Sequence, residues 1–216
     1  MEQPEWYSNA QKYWTAVSPT VNGMLGGFAT VDPIDTRGSL KFLQDVPVAN
    51  GYACDCGAGI GRVTKNMLLK RFDKVDLVEQ APNFCDQARR DLQAEQESGK
   101  VGDIFCTGLQ DFTPAAGKYD LIWCQWVLGH LTDDDLVAFF KRCITGLKPG
   151  GVIGIKENNS SKDYVVDEED SSVTRPDDAL KRIFAKAGLT LIKEDIQQGL
   201  PAGLFTVRMY ILQPQV

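Results

Sequence analysis

Between residues 50 and 156 the chain alternates short, nearly continuous apolar runs with longer stretches whose apolar positions recur every three or four residues. The runs "GYACDCG" (51–57), "KVDLVE" (74–79), "DIFCTG" (103–108), "YDLIWCQ" (119–125) and "GVIGIKE" (151–157) predict strands covered on both faces. The intervening "IGRVTKNMLLKRF", "PNFCDQARRDLQ" and "DDDLVAFFKRCITGL" have helical spacing, the last opening after Thr132 as an N-cap and closing before "KPGG". The resulting order, β-α-β-α-β-β-α-β, predicts a parallel sheet with crossover helices.

After residue 175, "PDDALKRIFAKAGL" predicts a helix, and "TLIKEDI" and "LFTVRMYIL" two strands joined at "GLPAG" as an antiparallel edge pair. The expectation is an α/β fold: a seven-stranded, mostly parallel sheet with helices on both faces. Two segments stand outside the alternation, the amino-terminal "EWYSNAQKYWTAVSPTVNGMLGGF" and the acidic stretch from Glu157 to Asp178. Additions to a sheet often carry specificity. No internal repeat is visible, and the length suits one domain over residues 1–216, with 1–48 as a helical extension that forms part of a substrate site.

Composition narrows the function classes. The apolar runs are too short to span a bilayer and the start lacks the regions of a signal peptide, so a cytoplasmic or nuclear protein is expected, with no membrane partner. Six cysteines fit reduced thiols, with Cys54, Cys106 and Cys124 as small apolar filler. Cys54 and Cys56 have no second cysteine pair, and the chain has one histidine, so no metal site is expected. A net charge of −6 argues against direct nucleic-acid binding and favours a basic partner.

The chemistry gathers at the strand ends. "CDCGAGIGR" follows the first core strand and opens a helix, a context in which glycines let backbone approach a ligand. Gly57, Gly59 and Gly61 give G-x-G-x-G rather than the G-x-G-x-x-G of dinucleotide folds, and this version resembles the first motif of S-adenosylmethionine-dependent methyltransferases. A methionine moiety carries an ammonium and a carboxylate, to which Asp55 and Arg62 are electrostatic complements. Glu79 ends the second strand, where a carboxylate can accept ribose hydroxyls, and Leu109 and Gln110 could frame adenine. A nicotinamide cofactor is the alternative for such a loop.

At the exit of the fourth strand, "WCQWVLGH" places Trp126 and His130 toward the same crevice, with Trp123 facing the core. The acidic stretch that follows carries eight carboxylates against Lys156, Lys162 and Arg175. Beside exposed tryptophans it suits a cationic acceptor, since cation–π contact contributes about 0.5 to 2 kcal/mol.

Taken together, "YW" at 13, "PTVNGMLGG" at 19, "DCGAGIGRVTK" at 55, "GLQDFTP" at 108, "IWCQWVLGHLTD" at 122, "IKEN" at 155 and "DEEDSSV" at 167 make the chain resemble the protein α-N-terminal methyltransferases, class I enzymes that methylate amino-terminal X-Pro-Lys sequences after removal of the initiator methionine. The resemblance implies that S-adenosylmethionine is held by Gly57, Arg62, Glu79, Gln80, Ala81, Leu109, Gln110 and Gln125. It implies further that Trp14, Leu25, Val31 and Trp126 bound the peptide amine and proline, that Asp167 lies near the lysine and Asp170 near the amine, and that Asn158 holds the peptide backbone with Ser172 nearby. His130 and Asp170 are the candidates for removing the amine proton, and the amino-terminal segment with Trp14 is a candidate lid. The implied partners are amino-terminal peptides of basic proteins, ribosomal or chromatin proteins among them, as substrates, and a monomeric enzyme is expected.

An α-amine of pKa about 7.7 to 8.0 is mostly protonated at neutral pH and has no lone pair for attack until a base takes the proton. Three departures from the expected pattern stand out: Glu79 and Glu157 occupy positions where aspartate is common, and "LPAG" at 200 lacks an acidic pair, which weakens selection of basic residues beyond the third position. A small-molecule methyltransferase of the same fold and a non-catalytic peptide-binding adaptor are the alternative readings.

Overall fold

The computed structural model describes residues 3–215. Three helices precede the sheet: α1 (Gln3–Ala16), α2 (Val21–Met24) and α3 (Asp32–Gln44). The alternating core runs β1 (Tyr52–Cys56), α4 (Arg62–Asn66), β2 (Lys74–Glu79), α5 (Pro82–Asp91), α6 (Gln93–Glu97), β3 (Val101–Cys106), β4 (Tyr119–Gln125), α7 (Asp133–Gly146) and β5 (Leu147–Ser160). The chain closes with β6 (Val165–Asp167), β7 (Ser172–Pro176), α8 (Asp177–Lys186), β8 (Leu189–Ile196) and β9 (Thr206–Pro214).

Strands β3, β2, β1, β4 and β5 are parallel neighbours in that order. β9 runs antiparallel to β5, and β8 antiparallel to β9, completing the expected seven strands. Period-two geometry divides β4 between two cores: Leu121 and Trp123 pack with Phe42, Val63 and Leu68 on one face, and Ile122 and Cys124 with Phe139, Phe140 and Phe184 on the other. Helices therefore cover both faces, and the continuous apolar character of the strands follows from that double burial.

Three details differ from the sequence expectation. The acidic stretch folds into a β6–β7 hairpin whose second strand pairs with the end of β5 at Asn159↔Arg175, bringing the sheet to nine strands. The first crossover helix is shorter than its periodicity suggests: α4 ends at Asn66, Met67 leaves helical dihedrals, and Leu68–Lys70 forms a 3-10 turn. Cys106 is exposed rather than filler, because it ends β3 at the sheet edge. The cap on α7 is as expected, with the Thr132 hydroxyl accepting the Asp135 N–H.

Candidate active site

The ends of β1, β2 and β4 open on a cleft of about 830 Å³, mouth included, lined by Gly57, Gly59, Arg62, Glu79, Gln80, Leu109, Gln110 and Gln125. Open parallel sheets bind ligands at such strand ends. Gly57 has φ +75, and a Cβ there would stand 2.4 Å from Cβ of Val127. At Gly59 a Cβ would meet Cε of Met24 at 2.3 Å, and Met24 Sδ accepts the Ile60 N–H, so α2 sits directly over the loop.

Glu79 is anchored by two backbone donors, Gly59 N–H on Oε2 at 2.9 Å and Ala81 N–H on Oε1 at 2.8 Å. Burial raises its pKa against the opposing pull of those donors. Each oxygen keeps a further acceptor position, which suits a diol. Ala81, expected at the cofactor, is buried behind this carboxylate and is not part of the cleft wall.

Arg62, read as an electrostatic complement to the methionine moiety, lines the cleft and is also bonded within the protein. Its Nη1 donates to Asp32 at 2.6 Å and Asp35 at 2.7 Å, so its charge is already compensated inside the protein. Its Nε–H is buried without a partner, as is the Trp126 indole N–H, and both residues line the cleft. Buried donors without acceptors are rare in folded proteins, and an acceptor such as a ligand carboxylate answers them. Asp55, read as a complement to a ligand ammonium, instead accepts the Thr64 hydroxyl at 2.6 Å beneath α4 and lies outside the wall, its pKa pushed up by burial to about 6.

A buried charge cluster below the cleft escaped the sequence reading. Asp35 accepts from Lys156 Nζ at 2.5 Å and from Gln125 Nε2 at 2.9 Å, and Lys156 also donates to Ser39 at 2.9 Å and Gln197 at 2.7 Å. One signal was available: a lysine inside the apolar run "GVIGIKE" demands a buried partner. Tyr7, also missed, lines the first cleft and donates to Asp135 Oδ2 at 2.5 Å, its pKa raised to about 12 by burial and that bond.

A second cleft, of about 1220 Å³ with its mouth, shares Trp14, Met24, Leu25, Trp126 and His130 with the first. Its remaining wall includes Val31, Asn158, Asp170 and Ser172, together with Phe28, Leu204 and Phe205, which the sequence did not single out. Asp167 is not in the wall; it is exposed at the end of β6 and caps the Glu169 N–H at 2.9 Å. Trp126 stands at the junction in a left-handed conformation, φ 51. Such strain in a bulky residue is held by its surroundings. Glu157 Oε1 supports the next turn by accepting N–H groups of Val127 and Leu128 at 2.7 and 2.8 Å.

His130 is the most constrained residue of the junction. Trp14 Nε1–H donates to its Nε2 at 3.0 Å, its Nδ1 lies 3.1 Å from the Ser171 carbonyl, and Trp6 Nε1–H donates to its backbone oxygen at 2.7 Å. Burial holds the imidazole below the ordinary histidine pKa, with the Ser171 carbonyl and Asp170 pulling the other way. Asp170 Oδ1 is buried with no hydrogen-bond partner. A cationic group at this point would complete the site.

Residues 2–213 match the family described as AdoMet dependent proline di-methyltransferase. The chain is 53 % identical to an alpha N-terminal protein methyltransferase 1 of Drosophila melanogaster, over 98 % of this chain and 78 % of that protein. It is 47 % identical to an N-terminal Xaa-Pro-Lys N-methyltransferase 1 of Danio rerio, over 98 % and 97 % of the two chains. Among solved structures, a SAM-dependent methyltransferase of Leishmania major superposes with a TM-score of 0.92 at 41 % identity, covering 97 % of this chain and 85 % of that one. The glycine cradle, the anchored Glu79 and the unpartnered donors fit the cofactor of those proteins. The chain thus belongs to the AdoMet dependent proline di-methyltransferase family and is a methyltransferase that uses S-adenosylmethionine.

Proposed function

We propose that the protein methylates the free α-amino group of chains beginning X-Pro-Lys. The observation that carries this reading is the shared wall: a cofactor cleft and a second, open cleft meet at Trp14, Leu25, Trp126 and His130. The name of the Danio relative agrees with that substrate class, and the name of the Drosophila relative agrees with action at the α-amino terminus.

Bound S-adenosylmethionine supplies a methyl group activated by a sulfonium. Leu25, Val31 and Trp126 offer an apolar wall to a proline at the second peptide position. Asn158 orients the peptide backbone, with Ser172 beside it. His130 stands at the junction and Asp170 in the wall of the second cleft, where the amine must give up a proton before its nitrogen can attack. The shared wall holds the reacting atoms in line once both clefts are filled. Asp167 meets the lysine from the hairpin rim rather than from within the cleft. The natural partners on this reading are amino-terminal tails of basic cellular proteins, ribosomal or chromatin proteins among them, met by a monomeric enzyme in the cytoplasm or nucleus.

The test compares Ser-Pro-Lys, Ser-Ala-Lys and Ser-Pro-Ala peptides. The reading expects each substitution to lower kcat/KM by at least about tenfold, the size of one lost apolar or charged contact. Equal rates for all three would overturn the substrate assignment.

A further inference from the structure

His130 is the chain's single histidine, and both its ring nitrogens are engaged by groups whose roles cannot be exchanged. An indole N–H only donates, so the Nε2 it meets must present a lone pair. A carbonyl oxygen only accepts, so the Nδ1 facing Ser171 must carry the proton. The two contacts select one neutral tautomer. They also occupy the lone pair with which the imidazole would act as a base.

We propose that Trp14 is a positioning residue that locks His130 as the Nδ1–H tautomer, so that His130 holds the Ser171 turn while Asp170 receives the amine proton. This deepens the proposed reaction and rests on it. The hydrogen bond from His130 reaches the carbonyl of the residue next to Asp170, and Ser171 is held at φ 53, a conformation a non-glycine residue keeps only under constraint. Asp170 is the carboxylate of this turn, and its Oδ1 is buried and unpartnered, as is the Ser171 hydroxyl beside it.

The two sides of the lock come from separate parts of the chain. α1 supplies Trp14 at the ring and Trp6 at the His130 carbonyl, and it is seated by Tyr7, which joins Asp135 and the Thr132 N–H. From the hairpin the ring meets Ser171 and the charge of Asp170. In the reaction the α-ammonium gives one proton to the Asp170 carboxylate, which frees the nitrogen lone pair to form the N–C bond. The C–S bond breaks as that bond forms and its electron pair stays on sulfur, leaving a neutral thioether and a methylated ammonium.

With one histidine, enzyme labelled with 15N at histidine gives a single imidazole spin system. The wild type is expected to show a protonated Nδ1 and an unprotonated Nε2, and Trp14→Phe a mixture of the two tautomers. A wild-type ring protonated at Nε2, or a Trp14→Phe spectrum identical to wild type, would overturn the lock. Kinetics supply the second arm, because an asparagine amide stands near the position of Nδ1 and can donate to Ser171 but cannot take up a proton. His130→Asn is expected to recover at least about tenfold of the rate that His130→Leu loses on a Ser-Pro-Lys peptide, whereas a base would leave both slowed by about a hundredfold or more. Equal rates for these two variants would return the base role to His130. The NMR arm needs no substrate, so a wild type that fails to methylate the peptide overturns the reaction and the Asp170 assignment, while the tautomer is decided separately.

Discussion

Asp35 and Lys156 meet in an ion pair of 2.5 Å, the lysine side chain with no solvent contact and the aspartate with 2 %. The pair joins α3 of the amino-terminal extension to β5 in the sheet. Burial alone would raise the Asp35 pKa, but Lys156 and Arg62 outweigh it and hold the carboxyl below its ordinary value. Asp35 also receives Gln125 and Arg62, both of which line the cofactor cleft, so the extension and the cleft floor share one carboxylate.

Removing one partner leaves a buried charge uncompensated. Asp35→Ala is expected to lose about 3–5 kcal/mol of stability, read as a fall in the urea midpoint, whereas the double change Asp35→Leu/Lys156→Met should recover most of it. A single variant as stable as wild type would show that water reaches the lysine.

Gly57→Ala addresses the cradle. With φ +75 and Val127 Cβ 2.4 Å from the new methyl, the loop must move. Strain of at least about 1.4 kcal/mol corresponds to a cofactor affinity at least about tenfold weaker by calorimetry. Unchanged affinity would mean that the loop does not form the cofactor floor.

Glu157 makes stability depend on pH. Burial pushes its pKa from 4.5 up to about 7, against the donors at Leu128 and Val127. The folded state therefore holds the proton more tightly than the unfolded chain. Its contribution is fully present below the unfolded value of 4.5 and is lost as pH rises through about 7. A glutamine can accept the same two N–H groups without charge, so Glu157→Gln should gain in melting temperature relative to wild type between about pH 5 and about pH 8. A constant difference across that range would assign the pH dependence elsewhere.

The rim of the second cleft carries Phe28, Leu204 and Phe205, all more than 40 % exposed or at that value, and no carboxylate from "LPAG". Neutralising a basic fourth residue of the peptide is expected to change kcat/KM by less than about threefold, the scale of an exposed ion pair. A larger loss in a peptide series would reveal an acidic contact along the exit path.

The strands and crossover helices were legible because double burial writes itself into continuous apolar runs, and Gly57, Glu79 and Gln110 because strand-end spacing is local. The hairpin was not legible: Val165 and Val166 are both exposed, and carboxylates interrupt any alternation. The partners of Arg62, Asp32 and Asp35, were not legible because they lie some thirty residues earlier. The same distance hides the lock on His130, which Trp14 reaches across 116 residues.

The central claim is that the two clefts carry a methyl group to a peptide α-amine. Mass spectrometry of a Ser-Pro-Lys peptide incubated with S-adenosylmethionine and the enzyme tests it, beside an α-acetylated copy and the Asp170→Asn variant. The account predicts one-methyl steps on the free-amine peptide alone, slowed by about a hundredfold or more in the variant. No mass gain on the free amine while cofactor binds normally, or equal gain on the acetylated copy, would contradict it.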